Sequence, residues 1–387
     1  MLRRDGGSRP FLGAMSAFAV GTMTFAGTLM ATSSGAADHE TLTVGTPAPD
    51  FDLPGIDGRR YSLSSFESAE LLVLIFTCNH CPTAQSYEER IIALADDYRG
   101  RGVSVVAISP NDPKAVRLDE LGYTDLNDTL EEMKVRAEFK GFTFPYLYDG
   151  ETQSVSEAYG PVATPHVFIF DRERVLRYVG RVDDSEEGVH AGTSHDTRDA
   201  LEELLAGQVV TTQTTKTFGC SVKWADKREA AQRALAKLAQ EEVSLETIDS
   251  AGIRALAAND SDNLRLINVW ATWCGPCVVE FPDFVEMNRM YRLRGFELVS
   301  ISADGPAKHA KVLSFLKKQQ AAHSNYLFES DDQYALIEAV DENWQGALPY
   351  TMLVEPGGRV IYSEQGGVDP LAMKRLIVDR LGREKDW

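Results

Sequence analysis

Hydrophobic and polar positions follow one order twice along the chain. Leu71 to Thr77 reads LLVLIFT, an apolar run of strand length that stops at Cys78. From Pro82 to about Arg99 the apolar positions recur at helical spacing, and Pro82 falls where a first turn tolerates proline. VSVVAIS, Val103 to Ser109, predicts a second buried strand, and HVFIFD followed by VLRYVGR predicts a hairpin. In the second half LRLINVW runs toward Cys274, a helix is predicted to about Arg294, and FELVSIS is the next strand. YTMLVEPGGRVIYSEQ then reads as a hairpin turning at Pro356 to Gly358. The pattern predicts an α/β protein with two similar modules, each a central mixed sheet flanked by helices.

Two segments fall outside that repeat. Arg3, Arg4 and Arg9 precede FLGAMSAFAVGTMTFAGTLMA, which carries no charge, and small residues follow to Ala37. Basic, apolar and small-residue stretches in that order predict an export signal over 1–37, or an uncleaved anchor, since about 20 apolar residues reach across a bilayer. The body of the protein is thereby expected in the periplasm or another extracytoplasmic space, at a membrane only if the anchor is kept. Between the modules, ADKREAAQRALAKLAQEE (225–242) is rich in helix formers. It predicts a helical linker of about 27 Å, or a segment folded onto one module. The modules are then 38–224 and 243–387.

Composition narrows the function classes. With 43% hydrophobic and 25% charged residues the chain is a globular protein, and 387 residues suit two domains. A net charge of −19 argues against sequence-independent nucleic-acid binding and against docking on anionic lipid. Four of the five cysteines form two Cys-x-x-Cys pairs, Cys78 with Cys81 and Cys274 with Cys277. Loops that short gain little from covalent closure, so the spacing points to chemistry rather than stapling.

That chemistry is thiol–disulfide exchange. The thiolate attacks, and an ordinary thiol of pKa about 8.5 is only about 3% ionised at pH 7. A strand ending at Cys78 or Cys274 and a helix starting there would aim free N–H groups and the helix dipole at the sulfur. Cys81 and Cys277, one turn on, would resolve the mixed disulfide. His80 is expected to stabilise the Cys78 thiolate, or else to be a solvated loop residue. Gly275 and Pro276 offer no such partner, so the second pair is expected to be more reducing and to pass electrons to the first. A closed zinc site needs four ligands, which neither pair supplies, and His190 and His195 have no cysteine nearby in sequence. No metal or cofactor is expected, with copper held by soft thiolates and His80 as the alternative for the first module.

The order strand, Cys-x-x-Cys, helix, strand, hairpin is thioredoxin-like, and it occurs in tandem. Residues 226–387 resemble the TlpA/ResA group of exported thioredoxin-like reductases through INVWATWCGPC, with Trp273 beside the pair, VEFP and GALPYTMLVE. The resemblance implies that Cys274 attacks, Cys277 resolves, Pro349 forms a cis peptide facing the pair, and Glu280 shifts cysteine acidity. Glu280 read alone is equally a solvated helix carboxylate. Residues 43–222 resemble a peroxiredoxin-like redoxin branch through VGTPAPDFDLPGIDGRRYSLSSF, FTCNHCPTAQSYEER, ATPHVFIFD and TKTFGCSVKW, with Pro165 as the cis-proline counterpart. The peroxide-reducing frame Pro-x-x-x-Thr-x-x-Cys fails here: Cys78 and Leu74 precede Cys81, and Ile75 and Leu71 precede Cys78. Cys220 either resolves a disulfide with Cys78 or Cys81, or is a buried small residue. The sequence therefore predicts an exported thiol–disulfide oxidoreductase exchanging with protein disulfides and an upstream thiol reductant. A thiol peroxidase and a copper-binding protein are the alternatives.

Overall fold

A computed structural model describes residues 39–185 and 194–383. The expected export signal and His190 lie outside the described residues. No helix among the described residues is long and apolar enough to cross a membrane.

Two mixed sheets form around the two apolar runs. Leu71–Phe76, buried at every position, is the central strand of a five-stranded sheet. It pairs in parallel with Val103–Ser109, which pairs in parallel with Tyr146–Tyr148. On its other side it runs antiparallel to His166–Phe170, whose hairpin partner is Leu176–Gly180. Leu264–Trp270 holds the same place in a six-stranded sheet, parallel to Phe296–Ser302 and antiparallel to Tyr350–Val354. Strands buried on both faces need apolar residues throughout, so both runs lack the alternation of a one-faced strand. Helices cover both sheets, giving two thioredoxin-like α/β layers.

The helix expected from Pro82 to Arg99 is two helices, Pro82–Ser86 and Glu88–Tyr98. They part at Tyr87, whose buried hydroxyl donates to Asp183 Oδ1 at 2.8 Å. The expected linker strut is also shorter. Residues Ala225–Lys227 form a 3-10 turn and Arg228–Leu238 an 11-residue helix. Ion pairs explain why it does not stand free: Arg228 pairs with Asp112, and Glu241 accepts Arg292 Nη1 and Nη2 at 2.7 and 2.6 Å.

An insertion spanning residues 110–129 separates the strand Val103–Ser109 from the helix Leu130–Lys140 and joins the two sheets' surroundings into one core. Its Val116 and Leu121 pack with Phe284, Met287, Met290 and Tyr291 of the long helix Gly275–Tyr291. Gly122 makes that approach possible, because a Cβ there would stand 2.8 Å from the Met290 carbonyl oxygen. Tyr291 donates its hydroxyl to the Thr124 carbonyl at 2.9 Å. Behind it, the buried Asp125 accepts Arg375 Nε at 3.0 Å and Arg383 Nη1 at 2.8 Å from the C-terminal helix region.

Candidate functional site

The second cysteine pair sits at an exposed rim. Trp270 ends its strand, and Thr272 is tied back to Asp304 by its N–H at 2.7 Å and its hydroxyl at 2.6 Å. Cys274 is the N-cap of the helix Gly275–Tyr291, its Sγ accepting the Cys277 N–H at 3.3 Å. Cys274 and Cys277 form a disulfide. Around it Trp273 is 65% exposed, and Gly275 and Pro276 are exposed too. The Leu348–Pro349 peptide is cis.

Glu280 is not the solvated carboxylate that its helix position also allowed. It is 7% exposed, and it accepts Asn268 Nδ2 at 3.3 Å and the Val368 N–H at 3.1 Å. Burial raises its pKa above the ordinary value of 4.5 against those two hydrogen bonds. A carboxyl that holds its proton longer when folded costs stability as pH rises from 4.5 through its folded pKa. Glu280→Gln is therefore expected to gain stability relative to the parent between pH 4.5 and pH 8. Urea unfolding across that range measures it, and parallel profiles would count against a buried, proton-holding Glu280.

The first pair has the same spacing in a different setting. All of Cys78, Asn79, His80, Cys81 and Pro82 are buried. The helix starts at Pro82, so its N-cap is Cys81 and not Cys78 as expected. Proline explains the shift: Pro82 takes the first helical position, where its missing N–H costs nothing, whereas Pro276 follows Gly275 inside the other helix. Cys81 Sγ consequently accepts the Ala84 N–H at 3.4 Å and the Cys220 N–H at 3.3 Å. Cys78 Sγ instead meets Thr164 Oγ1 at 3.2 Å, next to the cis peptide Thr164–Pro165.

Burial is the largest influence on both thiols and opposes their ionisation. At Cys81 it is outweighed by hydrogen bonds to Cys220 and Cys78, the His80 charge and the Ala84 N–H, which hold this thiol well below its ordinary value. Cys78 is pushed well above its own, by burial, by its bond to Cys81 and by the Asp128 charge. These influences favour Cys81 over Cys78 as the more acidic thiol of the pair, whereas the sequence placed the activated thiol at Cys78.

His80 is not a solvated loop residue either. Its Nδ1 lies 2.5 Å from Asp128 Oδ2 with both side chains buried. Asp128 also accepts the N–H groups of Asn79 at 2.8 Å and His80 at 3.1 Å, and Asn111 Nδ2 at 2.8 Å. Burial pulls the His80 pKa down, but the Asp128 charge and hydrogen bond win and raise it. The carboxylate fixes the proton on Nδ1, and Nε2 is buried with no hydrogen-bond partner among the described residues.

Cys78, a His80 ring nitrogen and an Asp128 oxygen lie within 4.8 Å of one another, close enough to consider a metal. Asp128 already accepts four hydrogen bonds, so Cys78 Sγ and His80 Nε2 are the donors left in that trio, half the set of a closed zinc site. His195 merely precedes the helix Asp196–Leu205.

Asp128, Asn111 and Thr164 were not found from the sequence. The contact from Asp128 to His80 spans 48 positions, and no spacing rule links either aspartate of DLNDT to a cysteine loop. Thr164 could have been found as the residue before the expected cis-proline.

Residues 44–179 match the AhpC/TSA family and residues 251–376 match the Redoxin family. The chain is 32% identical over 95 residues to the thiol-disulfide oxidoreductase ResA of Bacillus subtilis (strain 168), covering 24% of this chain and 49% of that protein. To ResA of Oceanobacillus iheyensis it is 29% identical over 125 residues, covering 30% of this chain and 52% of that protein. The chain thus spans about half the length of these curated relatives. A crystal structure of a hypothetical protein from Sinorhizobium meliloti 1021 shares 37% identity, with 48% of this chain and 97% of that one covered and a TM-score of 0.43.

Proposed function

We propose that this chain, an AhpC/TSA-family domain followed by a Redoxin-family domain, is an exported thiol–disulfide oxidoreductase whose protein-facing centre is Cys274–Cys277. One observation supports the reading: the disulfide, with Cys274 6% exposed and Cys277 buried, heads a helix at a rim where Trp273, Gly275 and Pro276 are exposed, so a protein docked on that rim meets Cys274 first. An upstream thiol reductant attacks the disulfide and leaves both cysteines reduced. Cys274, facing the first N–H groups of its helix, then attacks a partner's disulfide, and Cys277 displaces the reduced partner. Pro349 and Glu280 are carried over as supporting residues from the resemblance to the TlpA/ResA group. The basic and apolar N-terminal run supports export.

Cys277→Ser should leave Cys274 joined to its partner. Incubation with extract proteins is expected to give covalent adducts that a reductant releases, absent when Cys274 and Cys277 are both replaced by Ser. Adducts of equal amount in the double variant would overturn the reading.

A second reading rests on the first domain. Its enclosed Cys81, whose sulfur accepts two backbone N–H groups, and its AhpC/TSA match suit a small oxidant such as a peroxide. Peroxide consumption by the variant lacking Cys274 and Cys277 separates the two readings.

A further inference from the structure

The first pair poses a problem that the rim of the second pair does not. Cys78 is about as covered as Cys274, but its neighbours 77 and 79–82 are covered too, where Trp273, Gly275 and Pro276 are exposed, so a protein thiol has a poorer approach. We propose that Cys220 is the outlet of this closed centre, a third redox thiol that exchanges with Cys81 and trades electrons with thiols outside. The proposal rests on reading the first pair as redox-active.

Cys220 is half-buried and packs against Cys78 and Cys81. Its backbone N–H reaches Cys81 Sγ at 3.3 Å. The short strand Cys220–Ser221 pairs antiparallel with Ala163–Thr164, setting Cys220 opposite Thr164. Thr164 contacts both members of the pair, through its hydroxyl at 3.2 Å from Cys78 Sγ and its carbonyl at 3.3 Å from Cys81 Sγ. Cys81 therefore stands between two candidate sulfur partners.

This approach is built in. Gly219 has φ +134°, and a Cβ there would lie 2.1 Å from the Thr164 oxygen, so only glycine lets the segment come so close. On the other side Lys223 donates its N–H to Asn111 Oδ1 at 2.8 Å and accepts the Asp112 N–H at 2.9 Å. Asn111 also holds Asp128, so the segment bearing Cys220 and the carboxylate that orients His80 share one anchor.

The exchange balances. Starting from a Cys78–Cys81 disulfide, the Cys220 thiolate attacks Cys81 Sγ, the Cys81–Cys220 bond forms, and Cys78 leaves. His80, held by Asp128 and close to Cys78, supplies the proton that Cys78 takes up. A thiolate of an outside dithiol then attacks Cys220, and Cys81 leaves as a thiolate onto the Ala84 N–H. The partner's second thiol displaces Cys220. Two electrons have entered, the outside dithiol is a disulfide, and all three cysteines are reduced. Run backward, an outside disulfide reoxidises the pair.

The full chain with Cys274 and Cys277 replaced by Ser isolates this centre. Oxidised glutathione is added, free thiols are alkylated, and disulfides are mapped by peptide mass. Cys78–Cys81 should form, and adding Cys78→Ser should shift the bond to Cys81–Cys220. Adding Cys220→Ser instead should slow reduction of Cys78–Cys81 by a reduced thioredoxin at least tenfold, with an unchanged thermal midpoint. Reduction at the parent rate, or Cys81 carrying glutathione beside an alkylated Cys220 in the Cys78→Ser protein, overturns the relay alone. Failure of the parent to form Cys78–Cys81 at all overturns the redox reading of the first pair and the relay with it.

Discussion

Asp128→Ala is expected to destabilise the first domain by about 3–5 kcal/mol, the usual range for removing one partner of a buried ion pair. Four N–H donors converge on this carboxylate, and alanine leaves every one of them without its acceptor in a place water does not reach. The pH dependence identifies the cause. The Asp128 pKa lies below its ordinary 3.8, so its contribution is complete above that value and is lost as pH falls through the folded pKa. The His80 pKa lies above 6.5, so its contribution is complete below that value and is lost as pH rises through the folded pKa. The gap between parent and variant should thus be widest from pH 3.8 to 6.5 and narrow on both sides. Denaturant titrations at several pH values measure it. A gap under about 1 kcal/mol at pH 5, the worth of an ordinary hydrogen bond, would mean that the pair is not charged as described.

Asp125→Ala is expected to uncouple the two domains, again at a cost of about 3–5 kcal/mol. Asp125 is fully buried and lies near three guanidinium groups, Arg136 of its own domain and Arg375 and Arg383 of the other. Arg136 keeps Glu88, which it meets at 2.7 and 2.8 Å, so the loss falls on the arginines that cross between domains. Arg383 retains Gln85 Oε1 at 2.8 Å, a weaker neutral acceptor. With Val116 and Leu121 packed into the second domain's core, the parent should unfold in one calorimetric transition and the variant in two. A single unshifted transition in the variant would show that the apolar contact alone holds the domains together.

These two aspartates mark the boundary of what could be read from the chain. The strands Leu71–Phe76 and Leu264–Trp270 were legible because strands covered on both faces are apolar without interruption. Both cysteine pairs were legible because short, fixed spacing carries their geometry, and both cis prolines only through the family resemblances. Residues 110–129 were not, since they form 3-10 turns whose polar side chains answer partners far along the chain. The place of Cys81 at its helix start was legible in principle: proline stands one residue after Cys81 but two after Cys274. The equal Cys-x-x-Cys spacing hid that difference.

The long helix Gly275–Tyr291 has a consequence for traffic between the centres. Its 17 residues span about 25 Å, with the Cys274–Cys277 disulfide at one end and Tyr291, joined to Thr124 beside the first pair's loop, at the other. Thr124 in turn donates its hydroxyl to the Asn79 carbonyl at 3.3 Å. Sulfur must touch sulfur to exchange, so a handover from the second pair to the first would need more than the contacts that join the two ends of this helix. Were electrons to pass between the pairs, a courier would carry them, whether a small thiol or a neighbouring copy, and the handover would become a collision whose frequency rises with the concentration of whatever does the carrying.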